Sequence, residues 1–283
     1  MTTRLAYLGP RGTYTEAAAI AYDSTAELLP RASFTSAVEM VEAGEADGAV
    51  CAIENSIEGP VVEVRELLLR EQSAVVIRSE VVVPIRHALA GVEGIDLAGV
   101  RTVYSHPQAL GQCRGQIARL MPNATAVAAL STAAAIESAI SEPGTLAIGS
   151  HIAADLYGAH VYVDDLADEP GNETRFVVLA REDAPPSGDD KTSIAFTTHH
   201  DRPGSLVEVL NIFSNRGLNL TKVESRPTRR ALGTYVFLVD FQGHRLDAAV
   251  TEALEATRAV TLWLRVLGSY PRWTGPHAPA PDA

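Results

Sequence analysis

The stretch Asn172-Glu173-Thr174-Arg175-Phe176 runs directly into the apolar segment Val177-Val178-Leu179, so an amide, a hydroxyl and a cation gather at the mouth of a strand. Side chains alternate along a strand, which turns Thr174 and Phe176 to one side and Arg175 to the other. A hydroxyl donor and a guanidinium are residue types that hold anions and polar leaving groups. Taken alone, the same residues also read as a β-favouring threonine beside a solvated arginine.

Three further segments place chemistry where a strand gives way to a helix. Gly9-Pro10-Arg11-Gly12-Thr13-Tyr14-Thr15-Glu16 has glycines that let a ligand approach the backbone, and Thr13 or Thr15 can cap a helix whose free amides face an anion. Glu54-Asn55-Ser56-Ile57-Glu58-Gly59-Pro60 follows an apolar strand, and Asn55 and Ser56 stand where capping alone would explain them. In Ser105-His106-Pro107-Gln108 the proline suits a first helical turn, with Ser105 or His106 at the cap. In a parallel α/β sheet such junctions collect at the carboxyl ends of the strands, where ligands bind.

Elements able to position these junctions alternate along the first 180 residues. Strands are predicted at Leu5 to Leu8, Ala49 to Ile53, Val75 to Val83, Arg101 to Tyr104, Thr125 to Ala128, Leu146 to Ile148 and Arg175 to Leu179. Helices are predicted at Glu16 to Tyr22, Thr35 to Glu42, Val62 to Arg70, Gln108 to Leu120 and Thr132 to Ile140. The pattern is α/β with a largely parallel sheet. It breaks at the charged, Pro- and Gly-containing stretch Arg181 to Asp190, which marks a linker at 183–190 between a first domain (1–182) and a second (191–270). In the second domain the order is strand Thr192 to Thr198, helix Ser205 to Asn215, strands Leu218 to Ser225 and Thr234 to Phe241, helix Asp247 to Arg258 and strand Leu262 to Leu267, the ferredoxin-like βαββαβ unit. The proline-rich tail from Pro271 reads as disordered.

Composition narrows the functions. The 283 residues are 46% hydrophobic, enough for two cores, and no uninterrupted apolar run has the length of a membrane span. Without a signal-like apolar segment at the start, the expected location is the cytoplasm. The two cysteines, Cys51 and Cys113, suit buried positions better than a disulfide. The histidines show no metal-binding spacing, and His199 and His200 would face opposite sides of a strand. A formal charge of −12 argues against nucleic-acid or anionic-membrane binding. An anionic ligand therefore needs local positive potential from arginines and helix N-termini.

In their order along the chain, Tyr7 to Glu16, Ile53 to Ser56, Tyr104 to Leu110 and Asn172 to Phe176 resemble the signature segments of prephenate dehydratases. Pro203 to Val207 and Asn219 to Pro227 resemble the phenylalanine-sensing ACT domain that follows the catalytic domain in that family, with Ser205 where alanine is usual. The resemblance implies two α/β lobes around a cleft, like type II periplasmic-binding proteins, with chain crossovers near 75–83 and 160–175. It also implies a monofunctional enzyme, since no chorismate mutase segment precedes these motifs. The implied reaction converts prephenate to phenylpyruvate, carbon dioxide and water without a cofactor or metal.

On that resemblance Arg175 holds a substrate carboxylate, assisted by helix-start amides after Gly12 and Pro107. Thr174 donates a hydrogen bond to the departing hydroxyl, with His106 or Glu54 behind it as a proton source. Asn55, Ser56 and Asn172 orient the substrate, with Gly12, Thr13, Tyr14, Ser105, Gln108 and Phe176 around it, although Phe176 also suits the core. L-Phenylalanine is the implied effector, between ACT domains of a homodimer or homotetramer, at Gly204, Ser205, Leu206, Val207, Asn219, Leu220, Glu224 and Ser225. An arogenate dehydratase or a solute-binding protein would share much of this pattern.

Overall fold

A computed structural model describes residues 2–199, 203–227 and 235–276. Residue contacts divide it into two units, one of Val81–Phe176 with the N-terminal stretch up to Val64, the other of Arg65–Glu80 with Val177–Thr274.

Elements of the first two-thirds of the chain run β1 (Arg4–Leu8), α1 (Tyr14–Tyr22), β2 (Glu27–Arg31), α2 (Phe34–Glu42), β3 (Gly48–Asn55), β4 (Gly59–Pro60), α3 (Val62–Leu69), β5 (Val76–Pro84), β6 (Ala88–Gly91), β7 (Thr102–Ser105), α4 (Pro107–Gln112), α5 (Arg114–Leu120), β8 (Thr125–Ala128), α6 (Thr132–Ser141), β9 (Thr145–Gly149), α7 (His151–Tyr157), β10 (His160–Val163) and β11 (Glu173–Ala180). They form two sheets, ordered β2-β1-β3-β11-β5 with β4 on β3, and β10-β6-β9-β7-β8. Each holds three parallel strands with the first between the second and third, β2-β1-β3 and β8-β7-β9. The chain leaves the first sheet after Pro84 and returns to it at Glu173, so residues 85–87 and 164–172 connect the two lobes.

Three expectations for this part of the chain change. The second sheet is mixed, because β6 runs antiparallel to both β9 and β10. The single helix predicted over Gln108 to Leu120 breaks at Cys113, where the Asp168 carboxylate accepts from the amides of Gly115 (2.7 Å) and Gln116 (2.8 Å) and gives α5 its own start. The first crossover follows the predicted stretch 75–83, which is itself strand β5 of the first sheet.

In the second unit β12 (Asp190–Thr198), α8 (Ser205–Ser214), β13 (Leu220–Pro227), β14 (Tyr235–Gln242), α9 (Ala248–Val260) and β15 (Thr261–Pro271) give the expected βαββαβ order. The sheet is antiparallel, ordered β13-β14-β12-β15, with its core at Ile194, Phe196, Val209, Phe213, Val239, Phe241 and Leu254. The start of the tail is tied down rather than disordered: Pro271 ends β15, and the Arg272 guanidinium pairs with Asp189 at 2.6 Å. His200, Thr234 and the tail beyond Pro276 lie outside the described residues. No helix among the described residues is long and apolar enough to cross a membrane.

Candidate active site

Between the two sheets of the first unit lies a cleft of about 1520 Å³. Thr13, Tyr14, Asn55, His106, Gln108, Asn172, Thr174 and Phe176 all line it, so residues far apart in sequence meet as the junction motifs predict. Gly12, Glu54, Ser56, Ser105 and Arg175 do not line it.

Thr174 and Phe176 face the cleft because they share one side of β11. Arg175 takes the other side and lies 3.9 Å from the Glu54 carboxylate. Arg175, expected to hold a substrate carboxylate, and Glu54, expected on a proton path behind Thr174, thus stand as an ion pair beside the cleft lining. Ser105 is wholly buried and donates to the Ile148 carbonyl at 2.7 Å. Ser56 braces the strand mouth, its hydroxyl accepting from the Glu173 amide at 2.9 Å.

The helix starts of α1 and α4 each carry their own cap. Thr13 caps α1 by accepting from the Glu16 amide, while the buried Glu16 carboxylate takes the Gly12 amide at 2.5 Å and the Tyr7 hydroxyl at 3.1 Å. That amide therefore serves Glu16 rather than a ligand. His106 caps α4 through Nδ1, 3.4 Å from the Gln108 amide, and burial lowers its pKa, which favours neutral imidazole over a proton donor.

Asn55 is oriented without ambiguity. The backbone amides of Ile57 (3.0 Å) and Glu58 (2.9 Å) can only donate, so the atom they meet is the Asn55 side-chain oxygen. Its Nδ2 must then donate, and it lies 2.9 Å from Thr174 Oγ1, 2.7 Å from Asn172 Oδ1 and 3.0 Å from the Glu173 carbonyl. Thr174 Oγ1 accepts this bond, which leaves its own O–H to donate into the cleft.

Sequence reasoning missed two polar residues here. His87, on the first connection, is 3% exposed and lines the cleft, and Gln112 ends α4 beside it. Their contacts are Asn172 Nδ2 to Gln112 Oε1 at 2.9 Å, Gln112 Oε1 to His87 Nε2 at 2.8 Å and Gln112 Nε2 to the Glu58 carboxylate at 3.3 Å. Burial lowers the His87 pKa and keeps the ring neutral. A lone histidine after Arg86 carries no sequence signal of this role. Arg31 and Arg11, whose Nε lies 3.4 Å from the Glu16 carboxylate, also line the cleft and bring cations to it, with Glu58 and Glu137 on the same lining.

In the second unit Gly204, at φ 89°, is the N-cap of α8, which Ser205 begins, and Asn219 precedes β13. Val207 is exposed, whereas Leu206 and Leu220 are partly buried against the core. Glu224 pairs with Arg65 and with Lys222, and Ser225 follows it on β13.

The chain matches prephenate dehydratase over residues 5–184 and the ACT domain over residues 192–259. It belongs to the prephenate dehydratase family. With that family come the activity, decarboxylating dehydration of prephenate, and a regulatory ACT domain behind the catalytic one. A prephenate dehydratase of Mycobacteroides abscessus is 38% identical over 96% of this chain and 91% of its own. An arogenate dehydratase of Arabidopsis thaliana is 38% identical over 99% of this chain and 70% of its own. The crystal structure of an Arthrobacter aurescens prephenate dehydratase in complex with L-Phe superposes with a TM-score of 0.86 at 36% identity, covering 95% of this chain and 90% of that one.

Proposed function

We propose that the cleft of the first unit is where prephenate loses its ring hydroxyl and ring carboxylate, with Thr174 donating a hydrogen bond to the departing oxygen. The observation that carries this is the Asn55 amide, which occupies Thr174 Oγ1 as an acceptor and leaves its O–H for the cleft. The reaction turns the prephenate dianion and one proton into phenylpyruvate, carbon dioxide and water, the proton leaving with the hydroxyl. A cation on the ring carboxylate would hold back its departure as neutral carbon dioxide. Arg11 and Arg31 are accordingly assigned to the pyruvyl carboxylate, and the ring carboxylate to the apolar wall near Ile85 and Phe176. Asn172, Tyr14, Gln108 and Thr13 orient the substrate. Arg175, paired with Glu54, supports the strand behind Thr174, with Ser56 at its mouth.

The proposal divides the chain into a catalytic domain over 1–182, a linker over 183–190 and an ACT domain over 191–270. L-Phenylalanine binds that last domain around Gly204 and Asn219, between the subunits of a cytoplasmic homo-oligomer, and inhibits. Arogenate carries an ammonium in place of the keto group, and Glu58 and Glu137 line the same cleft as potential partners for it.

Steady-state assays with prephenate and arogenate, with and without L-phenylalanine, test the reading. Prephenate should give the higher kcat/KM, and L-phenylalanine should inhibit the intact chain but not Gly204→Val. A higher kcat/KM for arogenate overturns the substrate assignment; equal inhibition of both proteins moves the effector out of the ACT domain.

A further inference from the structure

Beyond Asn55 the hydrogen bonds continue in one direction. Asn172 Oδ1 receives the Asn55 amide, so Asn172 Nδ2 is turned to Gln112 and its partner is the acceptor Oε1. That oxygen lies 2.8 Å from His87 Nε2, and since an amide oxygen cannot donate, the proton sits on Nε2. Besides Asn172, two groups thus hold the Gln112 amide, His87 on its oxygen and Glu58 on its nitrogen at 3.3 Å. The His87 contact is shorter and belongs to a side chain 3% exposed, whereas the Glu58 contact is open to solvent, so His87 holds Gln112 more firmly than Glu58 does.

His87 is itself fixed from behind. Its amide donates to Asp165 Oδ1 at 3.3 Å, and its carbonyl accepts from the Leu166 amide at 2.8 Å, which joins the two inter-lobe connections. Asn172 ends the second connection, and its carbonyl accepts from the Ile85 amide at 2.8 Å.

We infer that His87 is a positioning residue for the dehydration: through Gln112 and Asn172 it holds in place, against Thr174, the Asn55 amide whose orientation Ile57 and Glu58 set. This rests on the assignment of Thr174 above. If His87 Nε2 stops donating, Gln112 can turn and Asn172 with it. An Asn172 amide nitrogen would then oppose Asn55 Nδ2, two donors face to face, and Asn55 would shift off Thr174. Nothing in this sequence of contacts moves a proton from His87 to substrate.

The test compares His87→Phe, which keeps a planar ring without a donor, with His87→Gln, whose amide nitrogen reaches the same donor position. Prephenate turnover is measured in wild-type and Thr174→Ala backgrounds, together with thermal melts. His87→Phe should lower kcat about tenfold with KM within about threefold, and His87→Gln should recover most of the loss. In the Thr174→Ala background His87→Phe should cost less than about twofold more, because the effect acts through the missing hydroxyl. Gln112→Met should match His87→Phe, and it supplies the comparison if the ring variant fails to fold. Equal loss in His87→Phe and His87→Gln, or full additivity with Thr174→Ala, overturns the inference. A Thr174→Ala enzyme with normal turnover instead removes the Thr174 assignment, a separate outcome read from the single variant.

Discussion

At the scale of single residues, the site works by forcing amide orientations. A carboxamide can present either end, but two backbone N–H groups at Asn55 remove that choice, and the preference passes to Thr174 and Asn172. The variant Asn55→Asp tests this with almost no change in shape. A carboxylate there still accepts from Ile57 and Glu58, but it faces Thr174 Oγ1, Asn172 Oδ1 and the Glu173 carbonyl as one more acceptor. The Thr174 hydroxyl would then turn to the new carboxylate and away from the cleft. Turnover of prephenate should fall by roughly a hundredfold, the scale of losing one preorganised donor, with KM changing far less. Unchanged turnover in a folded Asn55→Asp protein would show that the hydroxyl has another way to be directed.

Among the elements, the loop between β1 and α1 illustrates how glycine permits the cleft. Gly12 sits at φ 84°, and a Cβ there would come within 3.0 Å of the Cα and Cβ of Ala153 on α7, while its carbonyl accepts from Ser150 at 2.6 Å. Gly12→Ala should cost about 1 to 3 kcal/mol and lower the melting temperature by several degrees. It should also raise KM, because Thr13 and Tyr14 follow the displaced loop to the cleft; an unchanged melt would contradict this reading. Such contacts set the boundary of what the sequence discloses. Apolar strands such as β3 and β11 and the βαββαβ order were legible, because hydrophobic runs and turn residues mark them directly. Strand β2 was not, because Pro30 disguises it, although its place at the sheet edge tolerates a proline. The short β6, Ala88-Leu89-Ala90-Gly91, lacks β-branched residues, and only its pairing with β9 and β10 makes it a strand. In the site, the side of β11 taken by Thr174 followed from period two, and the same rule placed Arg175 away from the cleft. The roles of His87 and Gln112 depend on tertiary contacts between two connections and a helix end, which no local pattern encodes.

For the molecule as a whole, a chain of net charge −12 has to admit a dianion, and Arg11 and Arg31 put cations at the cleft lining beside Glu58 and Glu137. Buried glycine contacts recur in the second unit, where Gly268 of β15 lies so close to Ile77 that a Cβ would fall 2.2 Å from the Ile77 carbonyl oxygen. Residues 65–80, far from the ACT sequence in the chain, therefore count as part of the unit that holds the effector domain. That placement gives the regulatory domain a packed scaffold of its own within the unit. The proposed chemistry rests in the end on one hydroxyl, and Thr174→Ala removes it while leaving β11 to pair as before. The decisive measurement is the rate of phenylpyruvate formation from prephenate by the intact chain and by Thr174→Ala, with circular dichroism and melting recorded on both. The expected result is an unchanged fold, a KM within severalfold and a kcat lower by about a hundredfold or more. A folded Thr174→Ala enzyme that forms phenylpyruvate at the wild-type rate would contradict it.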